Sequence, residues 1–223
     1  MTVITISREI GSGAAYIALK LAERIGGTSV DKEIIHEIAN KLGKQKEDLV
    51  DFDQETYSRI GVFFQEALAS IAQGGKVFHP FGIGPLDWEG IDFYPQFPPE
   101  NLADDDYSQV LVKVMQELAA RDNVVILGRG GTSILSNYAN AYHFRIVANR
   151  EDRLLRLREE QEVSEDQASA VMARRDEAAR KFMYDFFDVD WADPHHYHLT
   201  LNTSKIGLDK AVDVICSIIS RER

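Results

Sequence analysis

The sequence predicts an α/β domain in which a parallel sheet of five strands is covered by helices on both faces. Three observations predict it. Short apolar runs alternate with stretches of helical period along most of the chain, the pattern of successive βα units. Those runs are dense in Val, Ile and Leu, as strands buried on both faces are. Residues suited to ligands cluster directly after three of the runs, and an open parallel sheet binds its ligands at the carboxyl ends of its strands.

In chain order, Val3–Ser7 reads as the first strand. Gly11-Ser12-Gly13 forms a turn, and Ala14–Ile25 is a helix with Ile17, Leu21 and Ile25 four apart, stopped by Gly26-Gly27. Thr28–Val30 is a short second strand. Asp31 is placed to cap a helix striped by Ile34, Ile35, Ile38 and Leu42, with Gly43 as its stop, and residues 46–73 read as more helix. Gly74–Asn101 breaks the pattern: it holds five of the six prolines and the aromatics Phe78, Phe81, Trp88, Phe93, Tyr94 and Phe97, with no clear period. It is too aromatic for a disordered linker and reads as an ordered, irregular insertion that covers a site or forms a subunit contact.

Regularity then returns. Asp104-Asp105-Asp106 suits the positive end of a helix carried by Val110, Val114 and Leu118. Val124–Leu127 is a buried strand ending in Gly128-Arg129-Gly130-Gly131. His143–Val147 is a strand, Arg150–Gln161 a charged helix, and Ser164-Glu165-Asp166-Gln167 a capping box that opens another helix. His198–Leu201 is the last strand, and Leu208–Ile219 an amphipathic closing helix.

A chain of 223 residues fits one domain with a small inserted subdomain. With 44% hydrophobic and 27% charged residues it reads as an ordinary globular protein. No apolar run approaches the roughly 18 residues of a membrane span, and the N-terminus lacks the pattern of a signal peptide. The single cysteine, Cys216, excludes a disulfide framework, points to a cytoplasmic setting and reads as a buried core thiol. A net charge of −11 argues against coating nucleic acid. Yet ten of the fifteen arginines lie between Arg121 and Arg180, which suits a site for small polyanions.

The strand, the Gly11-Ser12-Gly13 turn and the following helix have the layout of a phosphate-cradling loop: glycines let backbone amides converge and the helix adds its positive end. A tight turn with no ligand is the plain alternative. Arg129, set among glycines after a buried strand, is hard to explain by packing alone. Arg156 and Arg158, alternating with Glu159 and Glu160, read as a solvated helix face, and Arg175 with Asp176 reads either as a site or as a surface pair. His195-His196-Tyr197-His198 reads as loop or strand-edge histidines rather than a metal centre.

Residues Ile4–Gly26 resemble the opening of the P-loop nucleoside monophosphate kinases, especially the cytidylate kinase-like family. Gly128-Arg129 resembles the Gly-Arg after a central strand in that family, Arg174 to Arg180 its lid helix, and Leu201-Asn202-Thr203-Ser204 the segment before its last helix. The resemblance is weak across 43–106. It implies a P-loop NTPase-like, three-layer αβα fold of residues 1–223, with a nucleoside monophosphate-binding insertion over 33–106 and a lid over 158–187. It implies ATP on Gly11, Ser12, Gly13 and Ala14, with Arg153 from the following helix. Arg129 would hold an anionic acceptor such as a nucleoside monophosphate, Arg175, Asp176 and Arg180 would close over the transferring phosphate, and Asp31 would reach Mg2+ through water. The departures are specific. Ala14 stands where such loops have lysine, Ala15 where they have Ser or Thr, Arg8 at the first glycine, and Gly130 where cytidylate kinases commonly have aspartate.

Three readings follow: a nucleotide kinase-like enzyme, a nucleotide-binding protein that has lost catalysis with its lysine, and an interaction protein with an empty loop. Arg8, Arg129, Arg175 and Arg180 are the arginines placed to supply the charge Ala14 lacks.

Overall fold

The structure is a computed structural model and describes residues 2–31, 104–120 and 123–221. The expected helices of 31–73, the irregular segment 74–101 and most of the insertion 33–106 lie outside the described residues. All described residues except the start of one helix belong to a single compact unit.

Five strands form one sheet: β1 (Val3–Arg8), β2 (Thr28–Val30), β3 (Val124–Leu127), β4 (Ala141–Val147) and β5 (Leu199–Asn202). Their order is β2-β3-β1-β4-β5 and every pairing is parallel. The seven α-helices are α1 (Ala14–Ile25), α2 (Asp104–Ala119), α3 (Gly131–Ile134), α4 (Arg150–Gln161), α5 (Glu165–Phe187), α6 (Thr203–Ile206) and α7 (Leu208–Arg221), counted among the described residues.

The alternation of β1 explains the layers. Ile4 and Ile6 face one side and are buried with Val125, Leu127, Phe144, Ile146 and Leu201 against Ile17 and Leu21 of α1 and Val212 and Ile215 of α7. Thr5 faces the other side, where α3 begins. The result is the expected α/β architecture. A second cluster joins α4 to α5 through Leu154, Leu157, Ala168 and Met172, with Ile10 of the loop after β1 packed on it. The Ser164 capping box forms as expected, its side chain accepting from the Gln167 amide.

The differences from expectation have local causes. β4 begins two residues early because Ala141 and Tyr142 pair with Val3 and Ile4. The one-turn helices α3 and α6 are too short to leave a periodic signal. Cys216 is half-buried at the rim of the core rather than fully buried, and burial pushes its thiol pKa up.

Candidate functional site

β1 lies between β3 and β4, so the turns that leave β1 and β3 are neighbours at one end of the sheet. The Gly128 amide donates to the Ile6 carbonyl at 2.9 Å and ties the two turns together.

The turn after β1 needs its glycines for two reasons. Gly11 and Gly13 have φ of +74° and +81°, the left-handed region that side chains resist. Each is also closely packed: a Cβ on Gly11 would lie 2.7 Å from the Arg153 carbonyl oxygen, and one on Gly13 2.4 Å from Leu208 Cδ2. Three consecutive carbonyls of this turn are held from outside. Arg153 Nε donates to Ile10 O at 2.7 Å, Arg156 Nη1 to Gly11 O at 3.2 Å, and Thr203 Oγ1 to Ser12 O at 2.8 Å. A trans peptide points its N–H opposite to its C=O, so fixing these carbonyls turns the Gly11 and Gly13 amides the other way. Among the described residues, the amides of Gly11, Gly13, Ala14 and Ala15 meet no acceptor. Ser12 is fully buried and its Oγ has no hydrogen-bond partner. Open amides, an orphaned hydroxyl and an uncapped helix N-terminus make a cradle for an anion.

A network of arginines and carboxylates surrounds this cradle. Arg153 is 7% exposed; it pairs with Asp176 of α5 and donates through Nη1 to Glu9 at 3.3 Å. Asp176 also accepts from the Ile10 amide at 2.9 Å. The other Glu9 oxygen lies 3.8 Å from Arg145 Nη2, and Arg145 is 4% exposed, donating to the Trp191 carbonyl and stacking on the Trp191 ring. Two buried guanidiniums and two half-buried carboxylates thus neutralise each other. Removing one partner of such a set typically costs about 3–5 kcal/mol, because the other charge is stranded away from water.

The turn after β3 is Gly128-Arg129-Gly130-Gly131, with three successive positive φ values, +86°, +56° and +69°. Arg129 is the non-glycine among them, in a conformation that costs about 1 kcal/mol. Its guanidinium lies 5.9 Å from the Phe182 ring of α5. A Cβ on Gly130 would lie 2.3 Å from the Phe187 ring, so α5 fills the space that a side chain at 130 would take. Beneath the turn, Thr132 Oγ1 bonds Thr5 Oγ1 at 3.0 Å, and Thr5 bonds His143 Nδ1 at 2.7 Å.

The predicted residues are therefore distributed as follows. Gly11, Ser12, Gly13 and Ala14 form the cradle, with Ala14 itself buried against the core. Arg153 and Asp176 meet each other and the loop backbone. Arg129 stands at the neighbouring turn. Arg8 closes β1 beside Ile146 of β4. Arg175 is half-buried on α5, and Arg180 is exposed and paired with Glu177 one turn before it. Asp31 follows β2, two strand spacings or about 10 Å from β1. Glu9 and Arg145 were not singled out from the sequence, Thr203 only as part of the Leu201–Ser204 segment, and Arg156, read there as part of a solvated helix face, is instead half-buried and bonded to Gly11 O and Thr203 Oγ1. The signal for Arg156 was available, since it lies three residues after Arg153 on the same helix face.

The donors among the described residues do not build a protein cage for magnesium. Ala15 has no hydroxyl, Glu9 and Asp176 are engaged by arginines, and Asp31 is distant. Among the described residues no group of three His, Cys, Asp or Glu residues could hold a metal ion, and no helix is long and apolar enough to cross a membrane.

The cytidylate kinase-like family matches residues 3–205. A cytidylate kinase of Sulfolobus acidocaldarius is 24% identical over 124 residues, which cover 54% of this chain and 68% of that protein. Among solved structures, an uncharacterized protein from Eubacterium ventriosum has a TM-score of 0.66 at 20% identity, covering 99% of both chains, a likeness of fold.

Proposed function

The chain belongs to the cytidylate kinase-like family, and from that premise we propose that it transfers the terminal phosphoryl group of ATP to a nucleoside monophosphate or related anionic acceptor. The observation that carries this reading is the row of open amides and the orphaned Ser12 hydroxyl at the end of the central strand. Those donors have no structural use where they stand, and a triphosphate would satisfy them.

In this reading an acceptor phosphate oxygen attacks the γ-phosphorus, the bond to the β–γ bridging oxygen breaks, and ADP leaves with that electron pair. The protein's work is to align the two phosphates and offset their charge. The loop amides and Ser12 bind the donor, and Arg129 holds the acceptor phosphate from the adjoining turn. Arg8, Arg175 and Arg180 supply charge around the transferring group, with planar forks suited to phosphate oxygens. Arg153 and Asp176 keep the loop in shape. Magnesium, which would offset phosphate charge, would be held by the phosphates and water, with Asp31 as an outer partner. The S. acidocaldarius relative makes CMP the first acceptor to try.

The test is a coupled assay of ADP release with CMP and the other monophosphates. The proposal expects turnover that requires both ATP and an acceptor. Tight ATP binding with no turnover on any acceptor would contradict it. That outcome favours the second reading, a nucleotide-binding protein without catalysis, which the alanines at 14 and 15 support.

A further inference from the structure

The sequence nominated four arginines to replace the loop lysine, and the structure bonds two others to the loop. Two arginines of α4 reach it, and they differ in charge balance. Arg153 is neutralised by Glu9 and Asp176. Arg156 is half-buried and bonds only neutral atoms, the Gly11 carbonyl and Thr203 Oγ1, both through Nη1 at 3.2 Å. Among the described residues no carboxylate lies within ion-pair distance of its guanidinium. The next arginine on the helix, Arg158, is exposed and lies 3.5 Å from Glu165. A cation with no counter-ion among the described residues, bonded to an anion cradle, is a charge open to an anionic ligand.

We propose that Arg156 is the positioning cation of the donor loop, its charge on the carbonyl side of Gly11 compensating in part for the lysine absent at position 14. The proposal rests on the reading of the loop as a polyphosphate site. Its physical basis is twofold. Through Thr203, Arg156 holds the Ser12 carbonyl outward and so directs the Gly13 amide, while its own bond to the Gly11 carbonyl secures the turn whose Ser12 amide donates to Glu9 O. Its net positive charge, close behind the cradle and partly shielded from water, lowers the cost of gathering several phosphate oxygens there. A hydrogen-bonding role alone needs only a donor at this position, whereas the proposed role needs the charge.

The experiment separates donor from charge. ATP and inorganic tripolyphosphate are titrated by calorimetry into the full chain and into Arg156→Gln, Arg156→Lys and Arg158→Gln, with thermal unfolding recorded for each. Arg156→Gln keeps a donor and loses the charge; it is expected to weaken both ligands about tenfold or more. Arg156→Lys keeps the charge and is expected to stay within about threefold of the parent. Arg158→Gln, with the same change in net charge, is expected to bind like the parent. Equal affinity of Arg156→Gln and the parent would overturn the proposal and leave the kinase reading standing. If Arg156→Gln fails to fold, Arg156→Lys decides, and a tenfold loss there overturns it. Tripolyphosphate binding that depends on Arg156 while ATP does not bind would uphold the proposal and overturn the nucleotide reading. Binding of neither ligand by the parent overturns both.

Discussion

His143 sits 5% exposed on β4, with Thr5 on one side and His198 of β5 on the other. Burial chiefly, and the neighbouring His198 next, lower its pKa from 6.5 to about 4, although a bond to the Leu135 backbone pulls the other way. Thr5 Oγ1 bonds the ring Nδ1 on one side and Thr132 Oγ1 on the other. The consequence for stability has a definite sign. Above pH 6.5 the ring is neutral whether the chain is folded or not. As pH falls below 6.5 the unfolded chain takes up a proton that the folded chain refuses until about pH 4. Stability from this group is therefore full above 6.5 and drains away between 6.5 and 4, by at most about 3 kcal/mol. A ring titration by NMR is expected to place His143 near 4 while the melting temperature drops across that window. A midpoint above 6 would contradict it. This chain of Thr132, Thr5 and His143 anchors the Arg129 turn from below, and nothing in the local sequence pattern announced it, since its members are far apart in the chain.

At the scale of elements, α5 joins the two turns. Its Asp176 grips the Ile10 amide and Arg153 beside the first turn, and its C-terminal aromatics cover the second, with Phe182 beside Arg129 and Phe187 on Gly130. The departure at position 130 has a packing explanation: an aspartate there would meet both a φ of +69° and the Phe187 ring. Gly130→Asp is expected to destabilise the protein by about 2 kcal/mol or more. In combination with Phe187→Ala the two losses should be less than additive, because the second change removes the obstacle to the first. Chemical denaturation of the four proteins of the cycle measures this, and strictly additive losses would contradict the contact. Helix α5 was legible from its capping box. Its attachment was not, since an i,i+1 Arg175-Asp176 pair points its two members in different directions and Asp176 pairs instead with a residue 23 positions earlier.

At the scale of the whole molecule, the strands and long helices were legible because each had a periodic or continuous apolar signal ended by Gly or an acidic cap. β2 shows how little suffices: its three residues are identified by the Gly pair before them and Asp31 after. The cradle was legible as a pattern of small residues after an apolar run. What holds it was legible in part: Arg153 and Asp176 were nominated, but Arg156 and Thr203 act on the Gly11 and Ser12 carbonyls, and a carbonyl leaves no mark on the residue type that carries it. In the proposed reading, these side chains turn the amides of one loop toward a phosphate. An amide NMR titration with ATP tests it most directly. The Gly11, Gly13, Ala14 and Ala15 resonances are expected to shift together along one saturation curve. Saturation with ATP that leaves those four resonances unmoved would contradict it.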